Sequence, residues 1–341
     1  MTTSLERAAN ISGKVRIGIL GCAKIARRSM APAIKQLADR FELVAVASRD
    51  AATADAFADE FACEAVTGYE SLVARSDIDA LYVPLPTGIH AHWIGQAIAA
   101  GKHVYAEKSF ASNLTQSADL VNAAKLASVA LMEGYMFLYH RQQTVVADCL
   151  REGAIGEMRH FHASFGFPPL PADDFRFDEV LGGGALLDAA GYPLRAVSHF
   201  LGPGLQVQAA TLRRSAAGTS LWGSAFLANN HGVGASIAFG FDNFYQCRCE
   251  FWGSKGKLTA ERAFTPGPGF KPRLLLETEG NVIEQLVDAD NHFVGALNEF
   301  AHAISDAECR HRHYDQILVQ SRALGRIREL ADIATVKAAG P

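Results

Sequence analysis

The spacing of apolar positions along this chain changes near its middle. From residue 15 to about residue 133, short apolar runs alternate with longer amphipathic stretches. Residues 15–20 form a run rich in β-branched side chains, as a parallel strand buried on both faces requires. Similar runs recur at 41–47, 80–83, 102–106 and 130–132, with helical patterns at 90–100 and 114–127. Repeated strand–helix units predict an α/β fold, a doubly wound parallel sheet. Its ligand site belongs at the carboxyl ends of the strands. Those ends are Gly21, Ser48, the segment Pro84, Leu85 and Pro86, the pair Glu107 and Lys108, and Glu133.

Beyond that point the pattern differs. A helix over 141–151, a glycine turn at 153–156 and an alternating strand at 158–167 lead into an apolar helix over 181–200. Alternating segments follow at 206–212, 232–239, 246–252, 257–261 and 273–277, without helices between them. They predict an α+β domain with a large open, mainly antiparallel sheet. Helices over 293–305 and 315–331 close the chain, and the Pro/Gly-rich stretch 265–272 reads as a surface connection. The expected domains are 14–135 for dinucleotide binding and 136–335 for substrate binding and oligomerisation.

A length of 341 residues agrees with two domains. Apolar residues make up 49% and charged residues 20%, which is ordinary globular usage. A net charge of −4 gives no general attraction to nucleic acid or to an anionic membrane. No run reaches transmembrane length, and the polar first 13 residues lack the apolar core of a signal peptide, so a cytoplasmic location is expected. Cysteines 22, 63, 149, 247, 249 and 309 form neither a CxxC pair nor a Cys/His cluster in the sequence. All six read as free thiols, with no metal site.

The candidate chemistry starts at the first strand. Gly21, Cys22, Ala23, Lys24 and Ile25 turn directly into a helix, and Gly21, Ala23 and Ala26 follow G-x-G-x-x-G with alanine twice replacing glycine. Such a turn presents backbone N–H groups to a pyrophosphate. An ordinary βα turn with small residues is the alternative. At the end of the second strand, where NAD enzymes place an acid on the ribose hydroxyls, stand Ser48 and Arg49. A hydroxyl and a planar guanidinium suit a 2′-phosphate, so NADP is favoured over NAD. Asp50, one position later, keeps NAD open, and Arg49 could equally be a solvated loop charge. Lys108 could hold a substrate oxygen and stabilise the charge that develops on it, or be a solvated strand-end lysine. Asp188 and Tyr192, four apart in an apolar helix, would share one face, and Tyr192 could donate a proton. The alternative is a structural buried acid beside a core tyrosine. Gly182, Gly183 and Gly184 would let a substrate approach the helix entrance.

The segments 18–26, 83–90, 101–108 and 182–192 together resemble the Gfo/Idh/MocA oxidoreductases, glucose–fructose oxidoreductase and inositol dehydrogenase among them. Segments 133–140 and 251–258 look like the branch of sugar-nucleotide 3-ketoreductases. Tyr192, where inositol dehydrogenases typically carry histidine, points away from those and toward ketoreductases or aldose dehydrogenases. The resemblance implies an N-terminal Rossmann domain. It implies Lys108, Asp188 and Tyr192 as catalytic residues. Pro86, Thr87 and His90 would line the cofactor site, with Pro84 and Leu85 beside them, Glu107 under the nicotinamide and Lys108 beside its nicotinamide end. Tyr135, Arg176, Lys108, Asp188 and Tyr192 would contact the substrate, with His140 and Arg141 as further candidates; Arg176, His140 and Arg141 could each equally be a surface charge. The family usually has proline after the lysine; here Ser109 follows. The Lys108–Ser109 bond is therefore either trans or held cis by packing. The expected reaction is NADP-dependent reduction of a keto-sugar, nucleotide-linked or free. The alternatives are an aldose 1-dehydrogenase and, less favoured, a dinucleotide-binding sensor without turnover. The bare face of the open sheet implies a homodimer or homotetramer.

Overall fold

The computed structural model describes residues 13–335, so the N-terminal stretch behind the localisation expectation lies outside it up to residue 12. Two compact units are present. One runs to Gly134 and takes in Phe293–Ser321; the other comprises Tyr135–His292 and the chain from Arg322 on.

The first unit is built on six strands: β1 Val15–Leu20, β2 Phe41–Ser48, β3 Glu64–Thr67, β4 Ala80–Val83, β5 His103–Ala106 and β6 Leu131–Glu133. They lie in the order β3-β2-β1-β4-β5-β6, every pair parallel. This is the doubly wound order of dinucleotide-binding sheets. Every residue of β4 and β5 is buried, which is why both appear as unbroken apolar runs. The edge strand β3 has no buried residue and so carries no such signal. Local capping sets the helices between strands. Asn113 accepts from the Gln116 N–H, and Gln116 Oε1 accepts from the Ser112 N–H, fixing the start of helix Leu114–Ala127.

Both closing helices were expected in the second domain, but Phe293–Ser321 packs into the first unit. Tyr314 and Ile317 join the core beside Leu120, Val121 and Leu131, and Phe300 meets Tyr105 edge-on at 5.7 Å. The buried Arg310 guanidinium donates to the carbonyls of Ala303, Ile304 and Ser128. Apolar burial and a satisfied cation place these helices, and neither is visible in local periodicity.

The second unit carries nine strands: β7 Met158–Gly166, β8 Gln206–Arg214, β9 Ser220–Ala228, β10 Gly234–Gly240, β11 Gln246–Gly253, β12 Gly256–Glu261, β13 Arg273–Thr278, β14 Asn281–Leu286 and β15 Ala331–Thr335. Their order is β14-β13-β12-β11-β7-β10-β9-β8-β15, antiparallel except for the pairs β7–β10 and β8–β15. Strands β9, β14 and β15 were not anticipated. β14 is exposed along its whole length, and the segment holding β15 follows directly on the long helix Ala307–Leu330. One sheet face is covered by helix Gly191–Leu201, whose Phe200 packs on Phe161 and Phe251. The other face exposes Trp222, Phe226 and Trp252.

The apolar stretch expected as one helix over 181–200 is broken. Gly184–Asp188 and Gly191–Leu201 are separate helices joined through Ala189 and Ala190. Pro193 has no N–H to give to the Ala189 carbonyl, and its ring crowds that position. Asp188 therefore ends one helix and Tyr192 lies in the first turn of the next, with Ala189 and Ala190 between them still in the right-handed helical region. All six cysteines are free thiols. Among the described residues, no helix is long and apolar enough to cross a membrane.

Candidate active site

The candidate residues fall on both units. On the parallel-sheet unit, Gly21 closes β1 with φ +121°, a conformation side chains rarely adopt, and a Cβ there would lie 2.9 Å from Leu85 Cδ2. Leu85 is thus packed over the turn. Cys22, Ala23 and Ile25 are half-buried, Lys24 is exposed, and the Arg27 N–H closes the first turn onto the Ala23 carbonyl at 3.1 Å.

Cys22, Ser48 and Arg49 line an open pocket of about 580 Å³ with Asp50, Thr53 and Tyr69. Thr53, in the first turn of helix Ala51–Phe61, and Tyr69, which begins a short helix after the unforeseen β3, are additions to the expected lining. Asp50 is engaged as a helix cap: Oδ1 accepts from the Thr53 N–H at 2.8 Å and from its hydroxyl at 2.6 Å. Those bonds hold the Asp50 carboxyl below its ordinary range. Burial pushes the Tyr69 phenol up, against the pull of the neighbouring Arg49 guanidinium. The pocket therefore offers a guanidinium and hydroxyls, while its acid already has donors. That chemistry fits a 2′-phosphate better than a bare ribose diol.

At the other strand ends, Pro84, Leu85 and Thr87 are buried and Pro86 half-buried, ahead of helix Thr87–Ala99. His90, expected along the cofactor site, is fully buried instead. Its Nδ1 stands 2.9 Å from the Ser109 carbonyl and its Nε2 2.6 Å from the Leu85 carbonyl. Burial pushes its pKa down, against the two carbonyl contacts. His90 thus anchors the residue following Lys108 to the end of β4 and touches no open space. Glu107 Oε1 accepts from the Tyr82 hydroxyl at 2.7 Å, and the Glu107 N–H donates to Val83. The half-buried Lys108 is held from both sides by these neighbours, and the Lys108–Ser109 peptide is cis.

On the other unit, Arg176 Nε donates to Asp188 Oδ2 at 3.0 Å, and its NH1 pairs with Asp174 at 3.1 Å. This gives the half-buried Asp188 carboxylate a charged partner. The glycines ahead of it are close-packed rather than open. A Cβ on Gly182 would lie 2.5 Å from the Arg176 Cα, and one on Gly184 would lie 2.5 Å from Ser220 Oγ. They bring the Arg176 backbone and β9 against the Asp188 helix, a role that composition alone did not suggest.

Tyr192 sits in an aromatic cage. Its ring lies 5.6 Å from Tyr135, 4.7 Å from Phe165, 6.0 Å from Phe137 and 5.8 Å from Phe264. Tyr135 packs so closely on Gly191 that a Cβ there would fall 1.9 Å from its hydroxyl oxygen, and the Arg195 guanidinium covers its ring at 4.9 Å. Gly191 and Arg195 were not singled out in the sequence. Their signal is a glycine and a buried arginine in an otherwise apolar helix.

The signature of the oxidoreductase family with an NAD-binding Rossmann fold matches residues 15–135, and that of the GFO/IDH/MocA C-terminal domain matches residues 144–259. A dTDP-3,4-didehydro-2,6-dideoxy-alpha-D-glucose 3-reductase of Saccharopolyspora spinosa is 46% identical over 85% of this chain and 87% of its own. A D-xylose 1-dehydrogenase (NADP(+)) of Haloferax volcanii is 32% identical over 92% of this chain and 97% of its own. The crystal structure of a 3-ketoreductase from Actinomadura kijaniata, in complex with NADP and TDP-benzene, superposes with a TM-score of 0.92 at 38% identity, covering 95% of this chain and 100% of that one. A lysine-to-alanine and a tyrosine-to-phenylalanine variant of that enzyme have also been crystallised with both ligands. The altered lysine and tyrosine stand 84 positions apart, the separation of Lys108 and Tyr192 here.

Proposed function

Because this chain belongs to the GFO/IDH/MocA oxidoreductase family, we propose that it reduces the keto group of a nucleotide-linked deoxysugar with NADPH. The observation that carries this reading is the lysine–tyrosine pair, kept at the separation found in a sugar-nucleotide 3-ketoreductase that also shares the fold. Gly21 and the turn after it would receive the pyrophosphate, and Ser48 and Arg49 the 2′-phosphate. When bound, NADPH supplies the hydride. The Lys108 ammonium donates to the substrate carbonyl oxygen and offsets the negative charge developing there. The Tyr192 hydroxyl passes its proton to the same oxygen, completing the new alcohol, and recovers one from solvent. Asp188, oriented by Arg176, fixes a sugar hydroxyl, and Tyr135 forms the aromatic wall. Glu107, anchored by Tyr82, supports the cofactor side.

The test is a steady-state assay of the whole protein. NADPH is expected to be oxidised with a dTDP-linked 3-keto-2,6-dideoxysugar, and Arg49→Ala to raise KM for NADPH on the order of tenfold while leaving NADH nearly unchanged. Turnover of NADP⁺ with free xylose in its place would make the chain an aldose dehydrogenase. Dinucleotide binding without any turnover would make it a sensor.

The same reading assigns the open sheet face to self-association. Trp222, Phe226 and Trp252 are 39%, 43% and 61% exposed on that face, and apolar surface of this kind is ordinarily covered by a second copy in a closed assembly. Light scattering is expected to give a homodimer or homotetramer, with Trp222→Glu shifting it toward monomer. A monomeric wild type would refute this.

A further inference from the structure

Three ligand-bearing side chains converge where helices His292–Ser305 and Ala307–Leu330 turn into each other, within the parallel-sheet unit. Cys309 and His313, four residues apart, lie on one face of the second helix, and Glu299 reaches them from the first. Cys309 Sγ is 3.3 Å from Glu299 Oε1, and His313 Nε2 is 3.2 Å from the same oxygen. The sulfur, nitrogen and oxygen all lie within 4.8 Å of one another. Cys309 and His313 are buried, and the Glu299 side chain is 26% exposed, leaving one side open to solvent. From that side His302 Nδ1 stands 4.0 Å from Glu299 Oε2.

We propose that Glu299, Cys309 and His313 hold one zinc ion that clamps the two helices together, with water as the fourth ligand. Tetrahedral zinc has bonds of ~2.3 Å to sulfur and ~2.0–2.2 Å to nitrogen and oxygen, which separates its ligand atoms by roughly 3.3–3.6 Å. Two of the three separations already stand near that range, so occupation requires only small side-chain shifts. One thiol, one imidazole and one carboxylate select zinc over calcium or magnesium, which prefer all-oxygen shells. Binding releases the Cys309 thiol proton and requires the His313 proton that faces Glu299 Oε1 to leave Nε2, so that the neutral imidazole carries its proton on Nδ1 and Nε2 takes the metal.

The nearest competing cations do not block the site. Arg312 NH2 lies 3.4 Å from Glu299 Oε1 but its side chain is half exposed and can turn to solvent. Arg310 is held by three carbonyls. The signal in the sequence is Cys309-x-x-x-His313 paired with Glu299-x-x-His302 across a short turn. Cys/His spacing within one helix does not reveal it, because the carboxylate comes from the neighbouring helix.

The test strips the full-length protein with a chelator, then titrates it with zinc by calorimetry and with cobalt by absorption. One equivalent of zinc per chain is expected, with a thiolate-to-cobalt charge-transfer band and tetrahedral d–d absorption. Zinc is expected to raise Tm. Cys309→Ala and His313→Gln should each abolish the charge-transfer band or the zinc-dependent Tm shift, while Cys63→Ser keeps both. If either variant fails to fold, Glu299→Gln is read in its place, and the wild-type cobalt spectrum stands by itself. Absence of saturable zinc binding to the wild type, or an unchanged cobalt spectrum in Cys309→Ala, would overturn the site.

Discussion

Lys108→Ala lowers kcat/KM for keto-sugar reduction by roughly 10²–10³-fold, the usual consequence of removing one preorganised donor from a developing oxyanion. The size of the effect follows from how the lysine is held. Glu107 before it is tied to Tyr82 and Val83, and Ser109 after it to the buried His90. Truncation beyond Cβ leaves these anchors in place, so the charge is lost without the fold. The pocket lined by Ser48, Arg49 and Tyr69 does not include Lys108. NADPH affinity, read by fluorescence titration, is expected to fall far less than turnover, because Arg49 and the turn at Gly21 remain to hold the phosphates. A variant that keeps wild-type turnover, or one that loses cofactor binding and turnover together, would remove Lys108 from the proposed role.

Tyr192→Phe removes a single hydroxyl and keeps the ring among Tyr135, Phe137, Phe165 and Phe264. Thermal stability should move far less than turnover, because the cage holding the ring is kept and the hydroxyl's contacts, such as that to Met136 Sδ at 3.9 Å, are all that is lost. Turnover is expected to fall about 10²–10⁴-fold, the range for a lost general acid. Both side chains are proposed to act on one oxygen, so the double variant should lose far less than the product of the two single losses. Fully multiplicative losses would show that Lys108 and Tyr192 serve separate steps. An active Tyr192→Phe variant would leave the tyrosine as core packing.

Local chemistry made a large part of this molecule legible. The helix Leu114–Ala127 was readable to its ends, and β1, β2, β4 and β5 appeared as apolar runs. Burial on both faces writes itself into consecutive residues, and a helix writes a period of 3.6. Gly21, Ser48 and Arg49 were readable for a related reason: a strand end and a tight turn are local events. The segments that escaped were those with little burial of their own, such as β3 and β14.

What the sequence determined by itself was therefore the alternation of elements, the parallel-sheet unit and the residue types available for chemistry. Tertiary structure alone decided which of those residues have partners. It gave Asp188 to Arg176, withdrew His90 into the interior, broke the helix at Pro193 and brought Phe293–Ser321 back to the first unit. It also set Glu299 beside Cys309 and His313. Each outcome depends on contacts between side chains on different turns, helices or strands. Their free energy comes from desolvation and packing after the chain has closed on itself, and a pattern read over a few residues holds no record of it.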